Sequence, residues 1–311
     1  MQTTPLRSIG AIIVTLDPAP GAFAELLQAV MPQVSTIVVV DNGGATADIE
    51  PIVKTHAAGK YALIRNQRNV GLAAAQNQGI RHALNARQDY VLMLDHDSVP
   101  ASDMVTRLIG AMESRGTSSQ RVAAAGPVFI DMQSRSESRF VQLGPLGSRR
   151  VRCRGARLEI VLADILISSG MLISTAVLRD VGMMDDSLFI DHVDTEWCLR
   201  ARSKGYRMLG VCDARMQHRL GDRPARSVAG RRFFVRSPAR HYFFFRNSLL
   251  LYRRAYPPLV WKLADGLRLL PLIVAALLFC APRMRHLKAI TRGIVDGLRG
   301  RSGPLPAALE S

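Results

Sequence analysis

The sequence predicts an α/β fold: a mostly parallel sheet covered by helices, followed by a basic helical region at the carboxyl end. Three observations predict it. As far as Cys212, short aliphatic runs alternate with segments whose apolar positions recur at helical spacing, the pattern of a helix-covered parallel sheet. The run Tyr90–Leu94 leads straight into Asp95-His96-Asp97, as a buried strand does when it delivers side chains to the carboxyl edge where open α/β sheets bind ligands. The charge is also uneven. Of the net +16, residues 1–200 contribute −1 (19 basic, 20 acidic) and residues 201–311 contribute +17 (22 basic, 5 acidic).

In order, Ile9–Thr15 reads as a first strand, Ala22–Val30 as a helix and Thr36–Val40 as a second strand that ends in Asp41-Asn42-Gly43-Gly44, a turn. Asp48–Ala58 reads as a helix, Tyr61–Arg65 as a third strand and the Ala-rich Leu72–Arg87 as a helix before the strand that carries Asp95. Beyond Pro100 the pattern gives a helix at Met104–Ser114, a strand at Val122–Ile130, and a polar, basic stretch Gln133–Arg157 expected as a mobile loop or hairpin over the site. Ala163–Ile173 reads as a strand interrupted by small residues, then a helix capped by Ser174 or Thr175. Glu196–Ser203 reads as a helix ending before Gly205, and Tyr206–Cys212 as a final strand.

The carboxyl third interleaves Arg223, Arg226, Arg231, Arg232, Arg236 and Arg240 with Phe233, Phe234 and Tyr242–Phe245, and it suits an anionic partner. Leu269–Ala281 is shorter than the ~20 apolar residues of a membrane span, so an interfacial amphipathic helix is expected, with a disordered tail from Arg301. The expected division is 1–250 and 251–311. Four scattered cysteines form no C-x-x-C pair, which argues against a disulfide framework or structural zinc and for a reducing cytosol. No secretory leader is recognisable near Met1.

Several residues could carry chemistry. Alternate residues of an extended chain share a side, so Asp95 and Asp97 can converge on Mg²⁺ or Mn²⁺ and leave open positions for phosphate oxygens; a polar loop is the plain alternative. Asp41 either accepts the imide N–H of a pyrimidine or merely opens the turn. Arg68 and Asn69 precede a helix whose amino end favours phosphate, unless Asn69 is simply its cap. Gly170 allows a ligand close approach. Within the acid-rich Asp185–Trp197, the helix dipole alone explains Asp194 and Glu196, yet Asp191, His192 and Asp194 exceed what packing needs, and one carboxylate held near a hydroxyl would be a general base. His218 is a metal ligand, a diphosphate contact or a structural histidine.

Together, Val38–Asn42, Asn69–Ile80, Asp95-His96-Asp97, Ser169-Gly170, Asp191–Arg200, His218–Asp222 and His241–Asn247 resemble, in order, the family 2 glycosyltransferases, and in particular the bacterial rhamnosyltransferases that use dTDP-L-rhamnose. The resemblance covers roughly residues 8 to 250. It implies a GT-A fold that transfers a sugar, with inversion, to a lipid-linked or growing polysaccharide of the O-antigen or capsule type. It implies Asp41 at the pyrimidine, Asp95 at the ribose or metal, Asp97 on the cation, His218 at the diphosphate, Thr15, Arg68, Asn69 and Gly170 in the donor site, Asp194 as base and Asp191 as its substitute. Leu16 and Asp17 stand where many relatives carry an aromatic residue and Asn, and Val193 where the wider family has an acid. The implied setting is cytoplasmic, peripheral on the inner face of the membrane, with an anionic lipid surface or a second copy of the chain as partners for the carboxyl-terminal helices and no nucleic acid.

Overall fold

The computed structural model describes residues 7–44, 48–57, 59–116, 121–132, 135–145, 147–155, 159–218, 226–228, 231–233 and 236–309. Its first half follows the expected order within a few residues: β1 (Ile9–Thr15), α1 (Pro20–Val30), β2 (Thr36–Asp41), α2 (Glu50–His56), β3 (Tyr61–Arg65), α3 (Leu72–Asn85) and β4 (Tyr90–Asp95). β1 is buried throughout, and β2 and β4 are buried along their centres, which is why they read as unbroken apolar runs. Gly79 lets α3 lie directly on β1: a Cβ there would stand 2.4 Å from Ile12 Cγ2.

The second half holds β5 (Ser98–Pro100), α4 (Met104–Arg115), β6 (Val122–Asp131), β7 (Phe140–Gly144), β8 (Gly147–Val151), β9 (Ile160–Ala163), β10 (Leu172–Ser174), α5 (Thr175–Val181), α6 (Val193–Ser203) and β11 (Arg207–His218). The main sheet runs β3-β2-β1-β4-β10-β6-β11-β5, with β9 also on β11. The pairings β1 with β2, β1 with β4, β2 with β3 and β6 with β11 are parallel, whereas β10, β5 and β9 run antiparallel to their neighbours. The sheet is therefore mostly parallel in direction, with one reversed strand inserted between β4 and β6. Apolar clusters fill both of its faces.

Several expectations are corrected. Cys153 and Cys212 form a disulfide across 59 residues, because β11 and the segment leaving β8 meet only in the folded sheet, without any local cysteine motif to announce it. The run at 163–173 divides into β9 and β10. Ser174 does occupy the position before α5, but neither it nor Thr175 caps by side chain; the Thr175 hydroxyl instead donates to the Gln88 carbonyl. β11 extends to His218. Within 133–157 the described residues form the hairpin β7–β8, which packs on β9 and on the helix α8 described next.

β12 (Arg226–Val228) and β13 (Arg231–Phe233) pair as a small hairpin before α7 (Pro238–Tyr252), α8 (Leu259–Phe279) and α9 (Arg283–Leu298). Arg219–Asp222, Arg223 and Phe234 lie outside the described residues. Tyr242–Phe245 are buried, so these aromatics form the core between α7 and its neighbours rather than an exposed face. The tail is ordered through Leu309: Leu305 and Leu309 pack near Tyr242 and Phe243, and the Gly303 carbonyl accepts from Arg246 Nη1 at 2.6 Å. No helix among the described residues is long and apolar enough to cross a membrane.

Candidate active site

A cavity of about 550 Å³ opens at the carboxyl ends of β1, β2 and β4. Thr15, Asn69, Asp95, Asp97, Asp191, Asp194 and His218 line it, with Arg240 and Phe189. Residues distant in sequence thus meet in one hollow, and Asp97 and Asp194 share it.

The acid pair meets the histidine through strand register. After the turn at His96 and Asp97, β5 folds back against β11, placing Ser98 opposite His218. Asp97 Oδ1 then lies 3.5 Å from His218 Nδ1, and Asp95 Oδ2 lies 4.0 Å from Nε2. A line of hydroxyls fixes the ring: Ser98 Oγ is 2.8 Å from His218 Nδ1 and 2.6 Å from Ser169 Oγ, which accepts the Asp95 backbone N–H at 3.2 Å. Burial pushes the Asp95 carboxyl above its usual range; His218 opposes the shift and Asp97 adds to it. One donor atom from each of Asp95, Asp97 and His218 fits within 4.8 Å of the others: two hard carboxylate oxygens, which suit Mg²⁺ or Mn²⁺, beside one borderline imidazole nitrogen.

Asp194 sits in the first turn of α6 across the cavity. Its carboxylate accepts from the Thr195 N–H at 2.6 Å and the Ser168 N–H at 3.3 Å. Burial still dominates and pushes it up to about 6, with Asp95 adding to the rise. Asp191 is in the opposite condition. Burial acts to raise it, but the charge and the paired hydrogen bonds of Arg240, at 2.7 and 2.8 Å, outweigh burial and hold its carboxyl below the usual range.

The segment bearing these acids is shaped from outside. Phe189, Asp191 and His192 all have left-handed φ angles near 65°, uncommon for residues with side chains. Asn247 of α7 holds them there: its amide donates to the carbonyls of Leu188 (2.9 Å), Ile190 (2.8 Å) and Asp191 (2.9 Å). Arg246 adds a bond to Leu188 O, and His192 Nε2 lies 3.0 Å from Ser248 Oγ. Gly71 takes φ +93° beneath Phe189, where a Cβ would stand 2.6 Å from the ring.

Residues 12–171 match the model of glycosyl transferase family 2. Across 312 residues the chain is 32% identical to the dTDP-rhamnosyl transferase RfbF of Shigella flexneri, over 95% of this chain and 97% of that one. The chain belongs to glycosyltransferase family 2. Among solved structures, GalNAc-T7 with UDP, GalNAc and Mn²⁺ superposes with a TM-score of 0.60 at 15% identity, over 80% of this chain and about half (48%) of that one. The 1–349 portion of S. aureus TarS gives 0.59 at 13% identity, over 94% and 81%. These likenesses show a GT-A-like fold, and the family makes the chain a glycosyltransferase that draws on a nucleotide-sugar donor.

Not every residue singled out from sequence reaches the cavity wall of this family 2 enzyme. Thr15 and Asn69 do, and Thr15 Oγ1 is buried without a hydrogen-bond partner among the described residues. Asp41 lies beside the wall, its carboxylate accepting from the Gly44 N–H at 3.3 Å, while its neighbour Asn42 lines the cavity. Arg68 also lies off the wall, its backbone crowding Gly43. Gly170, at φ +84°, faces Pro127 and Met216 rather than the cavity. Arg240, Ser98 and Asn247 were missed as parts of the site. Arg240 had one signal, Ser237-Pro238, which marks a helix start and puts Arg240 in its first turn.

Proposed function

We propose that this glycosyltransferase moves L-rhamnose from dTDP-L-rhamnose, with inversion, to a hydroxyl of a lipid-linked or growing polysaccharide acceptor of the O-antigen or capsule type, at the inner face of the cytoplasmic membrane. The observation that carries the reading is Asp194, a half-buried carboxylate pushed up to about 6 that shares one cavity with Asp95, Asp97 and His218. At neutral pH it is mostly ionised yet basic enough to accept a proton. The acceptor hydroxyl gives its proton to Asp194, the freed oxygen bonds to the anomeric carbon, and the bond from that carbon to the diphosphate breaks as dTDP departs. Asp95, Asp97 and His218 would hold Mg²⁺ or Mn²⁺, which when bound offsets charge gathering on the departing diphosphate. Thr15 Oγ1, without a hydrogen-bond partner among the described residues, is available to the donor nucleotide. Similarity to the S. flexneri transferase along nearly the whole chain supports rhamnose as the sugar.

Turnover of dTDP-L-rhamnose, UDP-galactofuranose, UDP-glucose and GDP-mannose with Mn²⁺ tests the reading. The first should be preferred, and Asp194→Asn should lower its turnover by roughly 10²–10⁴-fold. Preference for another donor would replace the sugar, and an undiminished Asp194→Asn would remove the base.

A further inference from the structure

We propose that the outer face of α8 docks on an anionic phospholipid bilayer, the helix lying in the plane of the membrane surface. The inference rests on the peripheral placement proposed above and names the surface that would make it. Leu259, Leu263, Leu267, Leu270, Val274 and Leu278 are each 55–73% exposed and form one unbroken stripe along this helix of 21 residues. Single exposed leucines are ordinary, but an aligned row is not.

Charge distinguishes a bilayer from a second copy of the chain: the exposed charges of α8, α9 and β8 are all of one sign. Arg268, Arg283, Arg285 and Lys288 are exposed, and so are Arg149 and Arg150 on β8, which packs against α8. The acids of α8 and α9, Asp265 and Asp296, are buried and satisfied, by Tyr252 and Arg268 and by Tyr242, Arg292 and Arg301. A two-fold contact through this face would set cations against cations, whereas anionic headgroups complement them. Arg268 and the exposed Pro271 interrupt the apolar sequence, which suits a helix lying on the surface rather than one crossing it.

The test uses the full chain with vesicles of phosphatidylcholine alone and of phosphatidylcholine with phosphatidylglycerol. Sedimentation should be strong only with the second and should weaken as salt rises. Leu267→Glu/Leu270→Glu alters exposed positions only, so its thermal unfolding should match the parent while vesicle affinity falls at least about tenfold. Arg283→Glu/Arg285→Glu should lower affinity on anionic vesicles by about tenfold or more and leave the zwitterionic result unchanged. Donor turnover with a soluble acceptor should persist in both variants. Failure of turnover in every protein would count against the transferase reading alone, since vesicle binding is read separately. No sedimentation with phosphatidylglycerol, or sedimentation untouched by both double variants, would overturn the inference. So would a dimer in solution that Leu267→Glu/Leu270→Glu dissociates, which would make a second copy the occupant.

Discussion

Asn247→Ala should uncouple the acid loop from α7 and lower both stability and turnover. The side chain is fully buried and its amide hydrogens serve three carbonyls of the loop, all at 2.8–2.9 Å, while Oδ1 accepts from Arg246 Nε at 2.9 Å. Each net hydrogen bond contributes about 1 kcal/mol and stranded buried partners cost more, so a loss of roughly 2–4 kcal/mol is expected. The kinetic effect is separate. Asp191 and His192 keep left-handed backbones only while the loop is held, and α6, which carries Asp194, begins at the next residue. A shift of about 1 Å in a reacting group can cost ~10²-fold, so kcat should fall by that order with the donor KM moving less. Urea unfolding and initial rates on folded protein measure the two. If the variant loses stability but its folded fraction retains kcat within about twofold, Asn247 does not position Asp194, and the coupling argued from these bonds is wrong.

Other perturbations probe the same architecture. With Asp194 pushed up to about 6, its ionised, proton-accepting form is lost below that pH, so kcat/KM should fall about tenfold per pH unit on the acid side and level off above 7; a rate flat from pH 5 to 8 would refute it. Burial, with His286 and Arg236 nearby, lowers His241 to about 4. The unfolded chain therefore takes up the proton first as pH falls, and up to about 3 kcal/mol of stability present above pH 6.5 should be lost between 6.5 and 4. His241→Gln should flatten that slope in unfolding experiments. Gly71→Ala sets a Cβ against Phe189 at a positive φ and should lower both the unfolding midpoint and turnover, while an unchanged midpoint would show that the loop yields freely.

The parts of the site legible in the sequence are those where a change of chemistry coincides with the end of an element. Tyr90–Leu94 is buried apolar strand and the next residues are acids, so Asp95 and Asp97 announce themselves; Asp194 stands out likewise at a helix start. What escaped depends on pairing across distance. β5 is three residues long and has no pattern of its own, yet its register with β11 brings Asp97 to His218. β11 was read short because beyond Cys212 it alternates Asp213, Arg215 and Gln217 with buried Ala214 and Met216, one face covered instead of two. Arg240 was hidden by company, since a run of cations reads as surface, and the disulfide by the span of chain between its halves. α7 does carry a signal: Arg246 and Asn247 stand between the aromatic run Tyr242–Phe245 and Leu249–Leu251 and are fully buried, as polar residues are when other backbone depends on them.

The way the carboxyl-terminal hairpin is tied in limits how this protein can be shortened. Tyr242 reaches Asp296 at 3.1 Å, His241 meets His286 at 2.9 Å, and the Arg246 guanidinium needs the Gly303 carbonyl. A chain cut after Tyr256 would leave those three groups of α7, all of them ionisable, facing solvent or empty space, with the aromatic row beside them uncovered. Poor yield from so trimmed an expression product would speak of a broken fold before it spoke of lipid. Point changes on the outward side of α8, which leave those internal bonds in place, are the cleaner instrument.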